Sequence, residues 1–331
     1  MAQLIREAAD LVRAAGTVLL TTHIEPDADG IGSELALAEC LDARGLDVTI
    51  LNPGPAPRLG ALLDPDGRIQ VHDPDRPVPS ADLLVVLDTG VWAQLGTMAA
   101  VVRDRAGGCL VIDHHVTYDA IGEVTISEPA APCTGWLVLK VTDELGWTLT
   151  APAAEALFAA LVFDTGWLRY HNAGASAYEM AARLVREGAA PNRVYLALDA
   201  TQPAPMLRLT GMALAGLELE CNGALAVMTV TSEMLAAAGV DAAEVTNVVN
   251  QCYAAEGVHS AVLFVEQPDG EVKVSLRSRG VVDVSALALG YGGGGHARAA
   301  GARLAEPLAD VKQRVVTDLR RAIRARADAP Q

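Results

Sequence analysis

Apolar residues run through the first half of the chain in short unbroken blocks, Val18–Thr22, Val48–Leu51, Leu83–Asp88 and Leu110–Asp113, each bounded by charged or turn-forming positions. Blocks apolar at every position belong to strands covered on both faces, the condition of a parallel sheet. Between and after them, apolar residues recur at helical spacing over Gly32–Arg44, Gln94–Arg103, Gly135–Leu145, Ala153–Phe163 and Ala175–Glu187. The opening MAQLIREAADLVRAAG mixes acids with its bases and is expected to be an amphipathic helix, not a secretion signal. Strands alternating with helices predict an α/β class: a parallel-sheet domain flanked by helices, over residues 1–188.

The pattern then changes. Gly188, Pro191, Pro203 and Pro205 gather around a short helical piece, which predicts a helical linker or hinge over 189–216. A smaller mixed-sheet α/β domain is expected over 217–331, joined to the first across a cleft. It would hold strands Ala224–Val230, Ser260–Glu266 and Glu271–Ser278, a helix Ala242–Gln251 and a terminal helix Leu308–Arg326. The turn Gln267-Pro268-Asp269-Gly270 joins two of these strands. No internal repeat is visible.

Composition narrows the function classes. The 331 residues are 51% hydrophobic and 20% charged, which excludes a disordered or fibrous chain. A formal charge of −16 and an aromatic content of 4% argue against duplex wrapping and against a broad RNA-stacking sheet. A small anionic substrate stays compatible with that charge if metal ions or a local arginine cluster reverse the field in one place. The five cysteines, Cys40, Cys109, Cys133, Cys221 and Cys252, form no C-x-x-C pair, so buried thiols in a reducing compartment, the cytoplasm, are expected. No uncharged run is long enough to span a bilayer, and no membrane partner is expected.

The chemistry concentrates at element ends. His23, Asp27 and Asp29 fall on the one turn between the first strand and the following helix, where ligands of α/β sheets bind. Carboxylates that close repel unless a cation lies between them. Asp88 in LLVVLDTG, Asp113-His114-His115 in LVIDHH and Asp164 in LVFDTG repeat the theme. A single such Asp serves equally well as a helix cap, but four acid or imidazole ends together point to a metal site. Imidazole and carboxylate without thiolate suit Mn or Mg, with Zn or Co as competitors. Two ions sharing one carboxylate make the clamp used for hydrolysis at phosphorus, with a bridging hydroxide as nucleophile.

The run HIEPDADGIGS, the later VLDTG, the DHH triplet and the final DTG, in that order, resemble the four motifs of the DHH phosphoesterases. The resemblance implies two Mn ions, with Mg or Co as substitutes: one held by His23, Asp27 and Asp88, the other by Asp29, Asp88, His114 and Asp164, with Asp88 as bridge. It further implies that His115 touches the scissile phosphate and that Asp113 orients a histidine.

In the second half, alternation along Val274-Ser275-Leu276-Arg277-Ser278-Arg279 places Arg277 and Arg279 on one side of a strand, a candidate phosphate fork. Two solvated arginines on a sheet face would read the same. The run Gly292-Gly293-Gly294-Gly295-His296 would leave amides free to cradle an anion, above all if a helix begins at His296. Lacking the Lys-Ser/Thr of a P-loop, it disfavours nucleoside triphosphate hydrolysis. Lys273, Arg277, Arg279, Arg298 and Arg303 face a single acid, Asp283, over Val272–Leu304.

This pairing is similar to the DHH-associated C-terminal domain, and the whole chain resembles most closely the bacterial two-domain oligoribonucleases that also dephosphorylate 3′-phosphoadenosine 5′-phosphate. That implies a phosphoesterase acting on short RNA and small phosphorylated nucleotides, with a substrate patch of Ser275, Arg277, Arg279, Gly293, Gly294, Gly295, His296 and Arg298. Arg277 and His296 would grip a terminal phosphate or base. A homodimer is expected by the same analogy. A manganese-dependent inorganic pyrophosphatase shares the metal motifs, but its Lys-rich C-terminal signature is missing, Lys occurring only at 140, 273 and 312. A cyclic dinucleotide phosphodiesterase and a non-catalytic nucleotide sensor are the remaining alternatives. Trp167 and Tyr291 are expected in core packing ahead of base stacking.

Overall fold

A computed structural model describes residues 1–56, 63–199, 202–245 and 248–327. The chain divides into two units, Met1–Thr201 and Gln202–Gln331. In the first, the order is α1 (Ala2–Ala14), β1 (Thr17–Thr21), α2 (Ala28–Asp42), β2 (Asp47–Asn52), β3 (Ile69–Val71), β4 (Leu83–Leu87), α3 (Met98–Asp104), β5 (Gly108–Asp113), β6 (Val124–Ser127), α4 (Thr134–Glu144), α5 (Ala151–Asp164), α6 (Ala175–Arg186) and α7 (Pro191–Leu198).

Its six strands are all parallel, in the order β3-β2-β1-β4-β5-β6. The four apolar blocks form the inner strands. The edge strands β3 and β6 carry no such block, because an edge strand is covered less completely and tolerates polar residues. The expected helix Gln94–Arg103 is broken: Trp92–Leu95 is a 3₁₀ turn, and α3 starts only at Met98, since Gly96 adopts φ 49° between them.

One face of the sheet packs against α1, α2, α4 and α5, around Leu20, Ile31, Leu37, Leu110, Leu137 and Leu157. The other is covered more thinly by Leu95, Met98 and Val102 over Leu19, Leu84, Val86 and Val111. Within the thick layer two glycines set how close the helices come. A Cβ on Gly32 of α2 would lie 2.4 Å from the Ala156 carbonyl oxygen of α5, and one on Gly135 of α4 would lie 2.9 Å from the Ala160 Cβ.

In the second unit α8 (Ala204–Ala215), β7 (Glu218–Glu220), β8 (Leu225–Val230), α9 (Ser232–Ala238), β9 (Ser260–Glu266), β10 (Val272–Ser278), α10 (Val284–Gly290), β11 (Gly294–His296), β12 (Ala299–Leu304) and α11 (Leu308–Ala327) follow one another. The mixed sheet runs β11-β12-β10-β9-β8-β7, parallel only between β8 and β9. The expected helix Ala242–Gln251 is instead two 3₁₀ segments, Ala242–Glu244 and Val248–Ala254, with positions 246 and 247 outside the described residues. The β-branched Val245, Val248 and Val249 disfavour an α-helix there.

In the expected hinge, Val194 of α7 is buried in the core of the first unit, and Met206, Leu209 and Ala213 of α8 in that of the second. Positions 200 and 201 lie outside the described residues. Among the described residues no helix is long and apolar enough to cross a membrane.

One buried polar group stands apart. Glu34 of α2 is fully buried, its Oε2 accepting from Asn52 Nδ2 at 2.8 Å while Oε1 has no partner among the described residues. Asn52 Oδ1 in turn accepts from the Thr22 amide at 3.2 Å, at the mouth of β1. Burial, which the Asn52 bond only partly offsets, pushes the Glu34 carboxyl up to about 8.

Two outcomes follow for stability. Gly32→Ala forces α2 away from the α5 backbone and destabilises by about 1–3 kcal/mol despite the better helix propensity of alanine. Gly211→Ala on α8, where a Cβ meets open space, raises stability by up to about 1 kcal/mol; thermal unfolding midpoints check both signs. For Glu34, the folded chain keeps a proton that the unfolded chain releases near 4.5, so its contribution to stability is full below that pH and is lost as pH rises to about 8. Glu34→Gln flattens this decline, and urea unfolding across that range reads the difference in slope.

Candidate metal centre

The strand order reverses direction between β1 and β4, and the crevice at the carboxyl ends of these two strands is where a doubly wound sheet binds its ligand. His23 lies just beyond β1. Asp27 caps α2, its Oδ1 accepting from the Asp29 and Gly30 amides at 2.9 and 3.2 Å, and this puts Asp29 in the first helical turn. Asp88 follows β4 directly, with φ 60°. The left-handed conformation costs little for Asp compared with bulkier residues. Asp113 ends β5, with His114 and His115 after it, and Asp164 is the last residue of α5.

These residues meet. His23, Asp27 and Asp88 form one group whose ligand atoms all lie within 4.8 Å of one another; Asp29, His114 and Asp164 form a second, and Asp88, His114 and His115 a third. His23 Nε2 is 3.6 Å from Asp88 Oδ2. His114 Nε2 lies 3.8 Å from both Asp29 Oδ2 and Asp88 Oδ1, and 3.5 Å from Asp164 Oδ2. Asp88 is thus within reach of both imidazoles.

Burial pushes the Asp29, Asp88 and Asp164 carboxyls up, Asp88 and Asp164 well above the usual carboxylate range, and each is raised further by its acidic neighbours. Burial also pulls the His23 imidazole down against the field of Asp27. For His115 burial acts the same way, but the hydrogen bond and charge of Asp113 outweigh it and the net shift is upward. Carboxylates so crowded and so dry are stable as anions only beside a cation. Oxygen and imidazole nitrogen are donors suited to a hard or borderline divalent ion. The Cys133 thiol nearby is pushed well above its ordinary value by burial and by these acids, so it stays protonated and outside the donor set.

Groups that the sequence reading passed over hold the donors in place. The Thr134 and Gly135 amides, at the amino end of α4, donate to Asp29 Oδ2 and Oδ1 at 2.7 and 3.0 Å, and the Thr134 hydroxyl donates to Asp88 Oδ1 at 2.8 Å. Their only sequence signal is Pro132-Cys133-Thr134-Gly135 before a helical pattern. Asp113, fully buried, accepts a hydrogen bond from His115 Nδ1 on Oδ1 at 2.7 Å, while among the described residues its Oδ2 has no partner. Asn172 Nδ2 donates to the Asp164 carbonyl at 3.1 Å. A cavity of about 470 Å³ in this unit, lined by Ala81, Gly107 and Gly108 at the amino ends of β4 and β5, contains none of these residues. The chemistry sits at the opposite strand ends, where the donors converge.

In the second unit, Ser275 and Arg277 share the half-buried face of β10. Arg277 Nε donates to Asn250 Oδ1 at 3.0 Å. Arg279 lies beyond the end of the strand, so pleating does not set its direction; it donates to the Tyr253 carbonyl at 2.7 Å and lies over the Tyr253 ring. Both arginines therefore turn to the same 3₁₀ segment.

The glycine run departs from expectation. No helix begins at His296, which ends β11 opposite Ala299, and the Gly292 and Gly293 amides are not free, since they donate to the Leu289 and Ala288 carbonyls at 3.0 and 2.8 Å. The glycines serve close approach instead: a Cβ on Gly293 would lie 2.0 Å from the Gly301 carbonyl oxygen, and Gly295 takes φ 132° with the Ala299 carbonyl oxygen 2.5 Å from its Cβ position. Arg298 packs over Gly280, its Nη2 3.3 Å from where a Cβ would be. Trp167 stacks edge-on with Phe158 and Tyr195, and Tyr291 donates to Asp318 at 2.6 Å.

The model of the DHH family N-terminal domain matches residues 17–161 and that of the DHHA1 domain residues 222–325. The bifunctional oligoribonuclease and PAP phosphatase NrnA of Thermus thermophilus is 31% identical over 302 residues, 91% of this chain and 88% of that protein. Its namesake from Bacillus subtilis is 28% identical over 308 residues, covering 92% and 93%. The crystal structure of an exopolyphosphatase-related protein from Bacteroides fragilis shares the fold, with a TM-score of 0.92 over 98% of both chains at 22% identity. The chain belongs to the DHH family of phosphoesterases, a DHH domain followed by a DHHA1 domain.

Proposed function

We propose that the chain is a manganese-dependent phosphoesterase that hydrolyses short oligoribonucleotides, linear dinucleotides among them, and removes the 3′-phosphate of 3′-phosphoadenosine 5′-phosphate. The observation that carries the reading is Asp88 lying 3.6 Å from the imidazole of His23 and 3.8 Å from that of His114, the position of a carboxylate shared by two ions. The substrate class is supported by the relatives from Thermus thermophilus and Bacillus subtilis, whose names carry both activities. Mg and Co have the same donor preferences closely enough to substitute for Mn.

His23, Asp27 and Asp88 would hold one ion, and Asp29, Asp88, His114 and Asp164 the other. Such ions supply Lewis acidity, acidifying water and neutralising charge that develops on phosphoryl oxygens. The rest belongs to the chain. The amides at the amino end of α4 aim Asp29 and favour its anion against the upward pull of burial. Thr134 does the same for one oxygen of Asp88. Asp113 fixes the tautomer of His115, so that Nε2 is the nitrogen presented to a scissile phosphate. Ser275, Arg277, Arg279, Gly293, Gly294, Gly295, His296 and Arg298 would take the remaining phosphate or base of the nucleotide, Arg277 as a charge-assisted donor. The five cysteines are all free thiols, in keeping with a reducing cytoplasm.

A manganese-supplemented assay comparing linear diadenylate, 3′-phosphoadenosine 5′-phosphate, cyclic diadenylate, pyrophosphate and a long RNA tests the reading. Turnover of the first two, with pyrophosphate inert, is expected; fast pyrophosphate cleavage with inert nucleotides overturns it. Asp88→Asn lowers kcat by at least about 10³-fold and abolishes manganese binding in calorimetry. Arg277→Ala raises KM by about tenfold with little change in kcat, which steady-state kinetics on the dinucleotide resolves.

A further inference from the structure

The DHH triplet runs directly into Val116-Thr117-Tyr118, and Val116 is 76% and Tyr118 58% exposed. Exposed apolar side chains are ordinary on a protein surface when scattered singly. What separates Tyr118 is where its backbone is held. The Asp119 amide donates to the Gly90 carbonyl at 2.6 Å, and Asp119 Oδ2 accepts from the Trp92 amide at 2.9 Å, so the loop is tied down across the turn that follows Asp88. At that turn a Cβ on Gly90 would lie 2.8 Å from the Tyr118 Cβ and 3.2 Å from Asp113 Oδ2. The missing side chain of Gly90 is what lets Tyr118 lie this close to the carboxylate that orients His115.

Resting on the phosphoesterase reading given above, we propose that Tyr118 is the platform on which a nucleobase of the substrate stacks, one sugar away from the phosphate held at the acid and imidazole cluster. The ring is exposed, the backbone directly after it is pinned at Asp119, and among the described residues its hydroxyl makes no hydrogen bond, so its face is open to a planar ligand. The tryptophans offer no comparable surface: Trp92, Trp136 and Trp147 lie under Arg103, Lys140 and Arg44, and Trp167 packs against Phe158 and Tyr195. One ring and one valine are far too little area for a protein interface, which takes about 800 Å² per partner, but they match a single base. Stacking on a phenol discriminates little among bases, because every base has a π-face. Tyr118 is therefore a positioning residue for nucleotides in general, one that favours phosphoesters carrying a base.

Kinetics on linear diadenylate and on an analogue with both bases replaced by hydrogen tests this. Tyr118→Ala raises KM for diadenylate about tenfold, from the loss of one stacked base, with kcat nearly unchanged. Tyr118→Phe and Tyr118→Trp keep the wild-type KM or lower it, and KM for the abasic analogue is the same in wild type and Tyr118→Ala. An unchanged KM for diadenylate in Tyr118→Ala overturns the proposal, as does an equal rise on both substrates, which would mark a structural role. Turnover of diadenylate by the wild type is read in the same experiment. If it is absent, the phosphoesterase reading itself falls; if it is present and Tyr118→Ala is indistinguishable from wild type, only the platform does.

Discussion

The repulsion between carboxylates that share a dry space governs this structure. Asp29 and Asp88 are almost completely buried and Asp164 is half-buried, and all three carry carboxyls raised first by burial and then by acidic neighbours, Asp27 among them in every case. The fold works against simple protonation, since Asp29 takes two backbone amides and Asp88 a threonine hydroxyl, and bonds of that kind favour the anion. Burial demands neutrality while the hydrogen bonds demand charge. A divalent cation satisfies both, and the imidazoles of His23 and His114 stand where they complete its coordination.

Everything around the cluster brings its members to one point. Two neighbouring strands at which the sheet order reverses deliver His23 and Asp88 side by side. The end of β5 delivers His114, and helix ends deliver the rest: the amino end of α2 brings Asp27 and Asp29 and the carboxyl end of α5 brings Asp164, while the amino end of α4 supplies the groups that hold Asp29 and Asp88. These ends can meet only because Gly32 and Gly135 let α2 and α4 lie against α5 without a side chain between them. Packing deep in the helical layer and ligand geometry at its rim are thus one problem, and the small residues of the core belong to the site as much as the acids do.

In the second unit the residues singled out for chemistry also have structural uses. The glycines before His296 read as an anion cradle, and Gly293 and Gly295 also stand where β12 leaves no room for a Cβ. Arg277 and Arg279 looked like a fork set by strand alternation. Both in fact reach a 3₁₀ segment, and only Arg277 is on the strand. Their positive charge remains where the sequence put it, but its direction is set by Asn250 and Tyr253.

The α/β class of the first unit and its inner strands were legible in the sequence, because a strand buried on both faces must be apolar throughout and a helix must repeat its apolar face. The residues of the cluster were legible too, since acids and imidazoles at the ends of buried strands stand out against the apolar blocks before them. The edge strands, the broken segment at 242–254 and the hairpin after the glycines were not, because each depends on what a neighbouring element covers. Nor could the sequence reveal the supports. Thr134, Gly135, Asn172 and Gly90 are unremarkable residues whose meaning lies entirely in what touches them. Residue type and spacing decide which chemistry a chain can carry; only the packing of helices and strands distant in sequence decides which atoms come within bonding distance, because that is set by mutual exclusion of volume and by backbone donors whose partners no local pattern encodes.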